Sequence, residues 1–141
     1  MNVWLCHPNA VLPSKAHPTD VGYDLTLVEK HKTLDHGVMY DTGVRASPPP
    51  GYYIEVVPRS SLSKTGWIMA NSMGIIDPSY TGNIYVALYP VSERVPELQL
   101  PFKGFQMVLR RSHEAEVVNM TDLAAQTTTA RGDGGFGSTN K

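Results

Sequence analysis

The chain has 141 residues, with 12 Lys and Arg against 13 Asp and Glu and a formal net charge of −1. That length holds one domain with a modest core, and the balanced charge carries no basic excess that would point to a nucleic-acid polymer as partner. Cys6 is the single cysteine, which excludes an intrachain disulfide and a cysteine zinc set and fits a reducing compartment; no charged start with an apolar core and no apolar run of about 18 residues suggests a signal peptide or membrane span.

Residues 1–6 read as a short first strand, followed by a Pro-rich polar loop to Asp20. Val21–Val28 alternates Tyr, Leu and Leu against Asp, Thr and Val, the pattern of a strand with one buried face. Residues 29–37 are charged and are expected to form an exposed, turn-like stretch. Val38–Ala46 reads as a further strand with Gly43 at a bulge. Ser47-Pro48-Pro49-Pro50-Gly51 stops it, and Tyr52–Val57 is the next strand.

At Pro58 the pattern changes. Ser60 or Ser61 is placed to cap a short helix that Gly66 would end. Residues 74–83 then read as the head of a β-hairpin, with Asp77 and Tyr80 at its turn and Ile84–Val91 as the return strand. Ser92–Leu98 is a polar loop and Leu100–Leu109 a strand, with Arg110 and Arg111 as its solvated end. Val117-Val118 is the last strand-like pair. No amphipathic helix of about 12 residues is visible. Strands at about 8–12-residue spacing argue for an all-β barrel or sandwich. His7, His17, His31, His36 and His113 form no metal-ligand pattern and read as surface or turn residues.

Three stretches carry chemistry, each with a bland alternative. Pro58–Gly66 joins hydroxyls, an arginine and a helix start, which makes either an anion site or a plain capped turn. Asp77 before Pro78 is either a turn-former or a carboxylate displayed for use. Residues 131–140, Arg-Gly-Asp-Gly-Gly-Phe-Gly-Ser-Thr-Asn, cannot bury enough apolar area to order themselves. They are either a disordered tail or a grip for a nucleotide. In the second case the glycines admit phosphate to the backbone, Arg131 forks onto it and Phe136 stacks on a base. No Lys precedes Ser138, so the tail is not a Walker loop. The Arg131-Gly132-Asp133 triplet also spells an adhesion tripeptide, but three residues recur by chance.

Five segments, in order, resemble the motifs of the homotrimeric dUTP pyrophosphatases, the dUTPases. They are Val21-Gly22-Tyr23-Asp24-Leu25, Pro58-Arg59-Ser60-Ser61-Leu62, Gly74 to Asn83, Gln106-Met107-Val108, and Arg131 to Thr139. The resemblance spans nearly the whole chain. It implies a distorted jelly-roll β-barrel over residues 1–122, with one short helix. It also implies an extended C-terminal arm over 123–141 that closes on a neighbouring subunit's site.

The implied reaction is hydrolysis of dUTP to dUMP and pyrophosphate with Mg²⁺, which keeps uracil out of DNA and supplies dUMP for dTMP synthesis. Asp77 would activate the water that attacks the α-phosphorus. Tyr80 would lie under the deoxyribose and exclude a 2′-hydroxyl, while Gly74, its strand backbone and Asn71 would read uracil. Arg59, Ser60, Ser61 and Gln106 would hold the phosphates. From the arm, Arg131, Gly137 and Ser138 would close on them and Phe136 would cover the base. Asp24 would contact the metal through water or serve a structural role. The implied partners are dUTP and two further copies of the chain, with no nucleic-acid polymer and no membrane, in the cytoplasm or nucleus.

The fourth motif departs from the family pattern. Pro101-Phe102-Lys103-Gly104-Phe105 precedes Gln106, and Lys103 keeps a charge without a planar fork. That puts the local strand geometry and the register of Gln106 in question. Two other readings stand beside the hydrolase: a related dCTP deaminase, which would need a glutamate near the hairpin that this chain lacks between Glu55 and Glu93, and a non-catalytic trimeric nucleotide-binding protein on the same scaffold.

Overall fold

The computed structural model describes residues 1–120, 129–132 and 134–135. Among them lie β1 (Asn2–Leu5), β2 (Tyr23–Leu27), β3 (Glu29–Leu34), β4 (Gly37–Asp41), β5 (Val44–Ser47) and β6 (Tyr52–Pro58). A short 3-10 helix (Ser60–Lys64) follows, then β7 (Trp67–Met69), β8 (Gly74–Ile76), β9 (Tyr85–Pro90) and β10 (Phe102–Arg111). They pair antiparallel as two four-stranded sheets, ordered β2-β10-β6-β8 and β3-β4-β9-β7, with β1 and β5 as a separate ribbon. The architecture is the expected all-β distorted jelly roll, with open sheets and not one closed ring of ladders.

Alternation turns one face of each sheet inward. Leu25, Ile54, Val56, Phe105 and Met107 from the first sheet meet Tyr40, Met69, Val86 and Leu88 from the second in one buried cluster. Full burial of such side chains contributes about 1.5–3 kcal/mol each, so this shared core holds the sheets together. No helix among the described residues is long and apolar enough to cross a membrane.

Several elements differ from expectation, each for a local reason. Residues 29–37 are largely exposed but mostly form β3, an edge strand paired only with β4. Glu29, Lys30 and Lys32 suit an unprotected edge, where charge discourages further pairing. The strand expected over Val38–Ala46 splits into β4 and β5, which belong to different ladders. Asp41 Oδ1 accepts from the Gly43 N–H at 2.7 Å and Thr42 Oγ1 from the Val44 N–H at 3.1 Å. These local bonds replace ladder bonds, and Gly43 turns the corner at φ +64°.

The hairpin over residues 74–91 is not a paired ladder. β8 joins β6, whereas β9 joins β4 and β7. The preceding corner captures Ile84: its N–H donates to the Val44 carbonyl at 2.8 Å, and its own carbonyl accepts from Thr42 Oγ1, also at 2.8 Å. Asp77–Asn83 therefore crosses from one sheet to the other, braced by a turn bond from the Tyr80 N–H to the Asp77 carbonyl at 3.0 Å.

Ser60 and Ser61 lie inside the 3-10 helix and do not cap it. Arg59 holds the N-cap position without a side-chain capping bond, because a guanidinium has donors and no acceptor; its backbone N–H donates to the Gly104 carbonyl at 2.8 Å. Gly66, at φ +78°, follows the helix as expected. Arg110 and Arg111 continue β10 opposite Tyr53 and Tyr52. Val117-Val118 forms no strand; none follows Arg111 among the described residues. Most of the expected arm, including Phe136, Gly137 and Ser138, lies outside the described residues.

Candidate functional site

One polar cleft of about 300 Å³ is lined by residues from three of the motifs, including Gly22 and Asp24, Arg59 and Ser60, and Gln106. The sheet order explains the meeting. Gln106 on β10 sits directly opposite Asp24 on β2 and Val57 on β6. The altered fourth motif is accommodated by a register shift between Phe102 and Phe105, after which the ladder resumes in step at Gln106. The irregularity also has a use. Its Gly104 and Lys103 carbonyls accept from the Arg59 N–H at 2.8 Å and from its guanidinium at 3.2 Å.

Charge in this cleft is arranged around Asp24. Its Oδ1 meets Arg59 Nε at 3.0 Å and its Oδ2 meets Lys103 Nζ at 3.1 Å, with only 12% of the Asp24 side chain exposed. One carboxylate thus holds two cations, of which Arg59 lines the hollow together with Asp20 and Asp24, so an anionic ligand there would be met by the Arg59 guanidinium and Ser60 beside two acids. Gln106 is held from the other side. It lies so close over Gly22 that a methyl there would overlap its side-chain amide, and its Nε2 donates to the Pro58 carbonyl at 3.5 Å.

A second cleft of about 230 Å³ is lined by residues that include Asn71, Gly74, Asp77, Tyr80, Asn83 and Tyr85. β8 ends its sheet, so its outer backbone edge has no strand partner among the described residues and offers alternating donors and acceptors. Asp77 is exposed, with no hydrogen bond or ion pair to its carboxylate among the described residues. The Tyr80 hydroxyl donates to the Asn83 carbonyl at 2.7 Å. Burial, then the charge of Asp41, then Tyr80, push the Tyr85 phenol above its usual 10.0, so it stays a neutral hydroxyl at physiological pH. The first cleft stands at the lower end of the roughly 300–1,000 Å³ that encloses a drug-sized ligand and the second falls below it.

The anticipated residues thus fall into two groups. Asp24, Arg59, Ser60 and Gln106 come together, and so do Asn71, Gly74, Asp77 and Tyr80. Ser61 joins neither, and its buried Oγ has no hydrogen-bond partner among the described residues. Arg131 donates through Nε to the Gly134 carbonyl at 2.9 Å in a local turn. Among the described residues no three or more of His, Cys, Asp and Glu gather to hold a metal ion, and both Asp24 oxygens already face cations. The described residues therefore build no resident metal cage. Sequence reading missed Asp41 and Asn83. The Asp41-Thr42-Gly43 run was a visible turn signal, but nothing in it pointed to Asn83.

The family model described as dUTPase matches residues 8–140. A deoxyuridine 5'-triphosphate nucleotidohydrolase of Picosynechococcus is 36% identical over 135 residues, covering 94% of this chain and 93% of that protein. Its Helicobacter pylori counterpart is 34% identical over 135 residues, with 94% and 91% covered. Among solved structures, a Staphylococcus bacteriophage 80alpha dUTPase superposes with a TM-score of 0.80 at 22% identity, covering 98% of this chain and 96% of that one.

Proposed function

The chain belongs to the dUTPase family, and from that premise we propose that it hydrolyses dUTP to dUMP and pyrophosphate in sites shared between subunits of a homotrimer. One observation carries the shared site. Among the described residues, the cleft with Asp77 and the cleft with Arg59 share no lining residue, yet hydrolysis requires the activated water and the phosphates to be in reach of each other. Setting the Asp77 crossover of one subunit against the Arg59 cleft of another joins the halves.

In this reading the open edge of β8, with Asn71 beside it, meets the uracil edge. A base presenting the wrong donors there leaves buried polar groups unpaired, which discriminates strongly. Tyr80 lies under the deoxyribose and leaves no room for a 2′-hydroxyl. Asp77 accepts the proton of the water that attacks the α-phosphorus, a role its unengaged carboxylate suits. Arg59, Ser60 and Gln106 hold the phosphates, while Asp24 keeps Arg59 and Lys103 aimed. The phosphates held by Arg59, Ser60 and Gln106 would carry Mg²⁺, which would supply charge neutralisation for the leaving pyrophosphate. Residues 123–141 close over a neighbour's site, with Arg131, Gly137 and Ser138 at the phosphates and Phe136 on the base. The reaction lowers dUTP and supplies dUMP, which keeps uracil out of DNA.

Mixing two inactive variants tests the shared site. Trimers assembled from Asp77→Asn and Arg59→Ala subunits contain some sites with both native groups, so mixing should restore turnover. If each chain carried a complete site, mixing would restore nothing.

A further inference from the structure

We propose that Asp41 and Asn83 form a positioning pair that fixes the pose of Tyr80 and so sets the discrimination between deoxyribose and ribose; this rests on the sugar-contacting role of Tyr80 given above. Tyr80 is 41% exposed, so core packing alone does not hold its ring. Its hydroxyl donates to the Asn83 carbonyl at 2.7 Å, and its ring lies over Gly82, where an added methyl would stand 2.5 Å from the hydroxyl.

The Asn83 carbonyl is itself anchored from both directions. Asn83 Nδ2 donates to Asp41 Oδ2 at 3.1 Å, with Oδ1 at 3.4 Å. The next residue, Ile84, is bonded at both its N–H and its carbonyl to the Thr42–Val44 corner. Asp41 is buried, and its Oδ1 is fixed by the Gly43 N–H at 2.7 Å. A chain of contacts therefore runs from a rigid corner of the second sheet, through Asn83, to the tip of an exposed ring.

The consequence is specific. Steric exclusion of a 2′-hydroxyl works only if the ring stays in place, because a ring free to swing admits ribose. One net hydrogen bond biases a local conformation by roughly three- to tenfold. Loss of the pair should therefore appear chiefly as improved use of UTP.

The test is kcat/KM for dUTP and for UTP. Asn83→Ala and Asn83→Asp should each lower the dUTP/UTP ratio by roughly three- to tenfold. Asn83→Asp sets a carboxylate, which has no donor, against the Asp41 carboxylate. Adding Asp41→Asn to Asn83→Asp restores one amide donor facing a carboxylate, keeps an acceptor for Gly43 and should recover the ratio. A purely structural role would lower both substrates alike. An unchanged ratio in both single variants, or a swap no better than Asn83→Asp alone, overturns the proposal. Should Asn83→Asp fail to fold, Asn83→Ala decides, since it leaves the Asp41 bond to Gly43 intact. Tyr80→Ala separates the levels: an unchanged ratio there removes Tyr80 from sugar selection and this proposal with it. Failure of the native protein to hydrolyse dUTP would instead overturn the function itself.

Discussion

Asp24 on β2 holds Arg59, the residue after β6, by an ion pair of 3.0 Å that reaches over β10 between them. A second cation, Lys103, occupies the other carboxylate oxygen at 3.1 Å. If Asp24 aims these cations at phosphate, Asp24→Asn should raise KM for dUTP and lower kcat/KM on the order of tenfold, the equivalent of about 1.4 kcal/mol. The Mg²⁺ concentration giving half-maximal rate should stay put. A shift in that concentration with KM unchanged would assign Asp24 to the metal's water shell instead.

Gln106 depends on the absence of a side chain at Gly22. Gly22→Ala should displace the Gln106 amide from the cleft, because the added methyl would overlap it. The side chain can swing, so the melting temperature should move little while kcat/KM falls roughly tenfold, near the worth of one hydrogen bond to a charged group. Equal loss of stability and activity would mean that Gly22 serves the strand and not Gln106.

Asp77→Asn should lower kcat by about 10²–10⁴-fold, the usual contribution of a positioned general base. Calorimetry should find dUTP affinity nearly unchanged, since the amide matches the carboxylate in shape. Lost affinity with full turnover of the bound complex would refute the base role.

Glu55 supplies a pH dependence outside the clefts. Hydrogen bonds from Arg110 at 2.8 Å and then from the Tyr53 hydroxyl at 2.8 Å hold its carboxyl below the usual 4.5. The unfolded chain therefore binds a proton here more readily than the folded one. The network's stabilisation is full above the unfolded pKa and is lost as pH falls through the lower folded value. Melting curves of Glu55→Gln should accordingly show a shallower acid limb than those of the native protein, and identical limbs would contradict this.

The local chemistry of both clefts was legible in the sequence because turn and motif residues declare themselves over short spans. Gly66 and the Asp77 turn fall where short-range reasoning puts them, whereas Gln106 was named only by the family resemblance and stands opposite Asp24 after the irregularity in β10. Pairing between distant strands was not legible. The hairpin expectation failed because Ile84 bonds to Thr42 and Val44, some forty residues earlier, and no local pattern reports that. Residues 29–34 were hidden by their charge, which an edge strand tolerates and a turn shares. Lys103 illustrates the converse. It is a departure by motif, yet it pairs with Asp24, the carboxylate that also holds Arg59 in the cleft.

The most direct test of the hydrolase is pyrophosphate release, with Mg²⁺ present, from dUTP, UTP, dTTP and dCTP in parallel, with ammonia followed in the dCTP reaction. A dUTP hydrolase releases pyrophosphate from dUTP, little or none from the other three, and no ammonia. Ammonia from dCTP would make the protein a deaminase, and a trimer that binds dUTP without releasing pyrophosphate would make it a binding protein; either result contradicts the account.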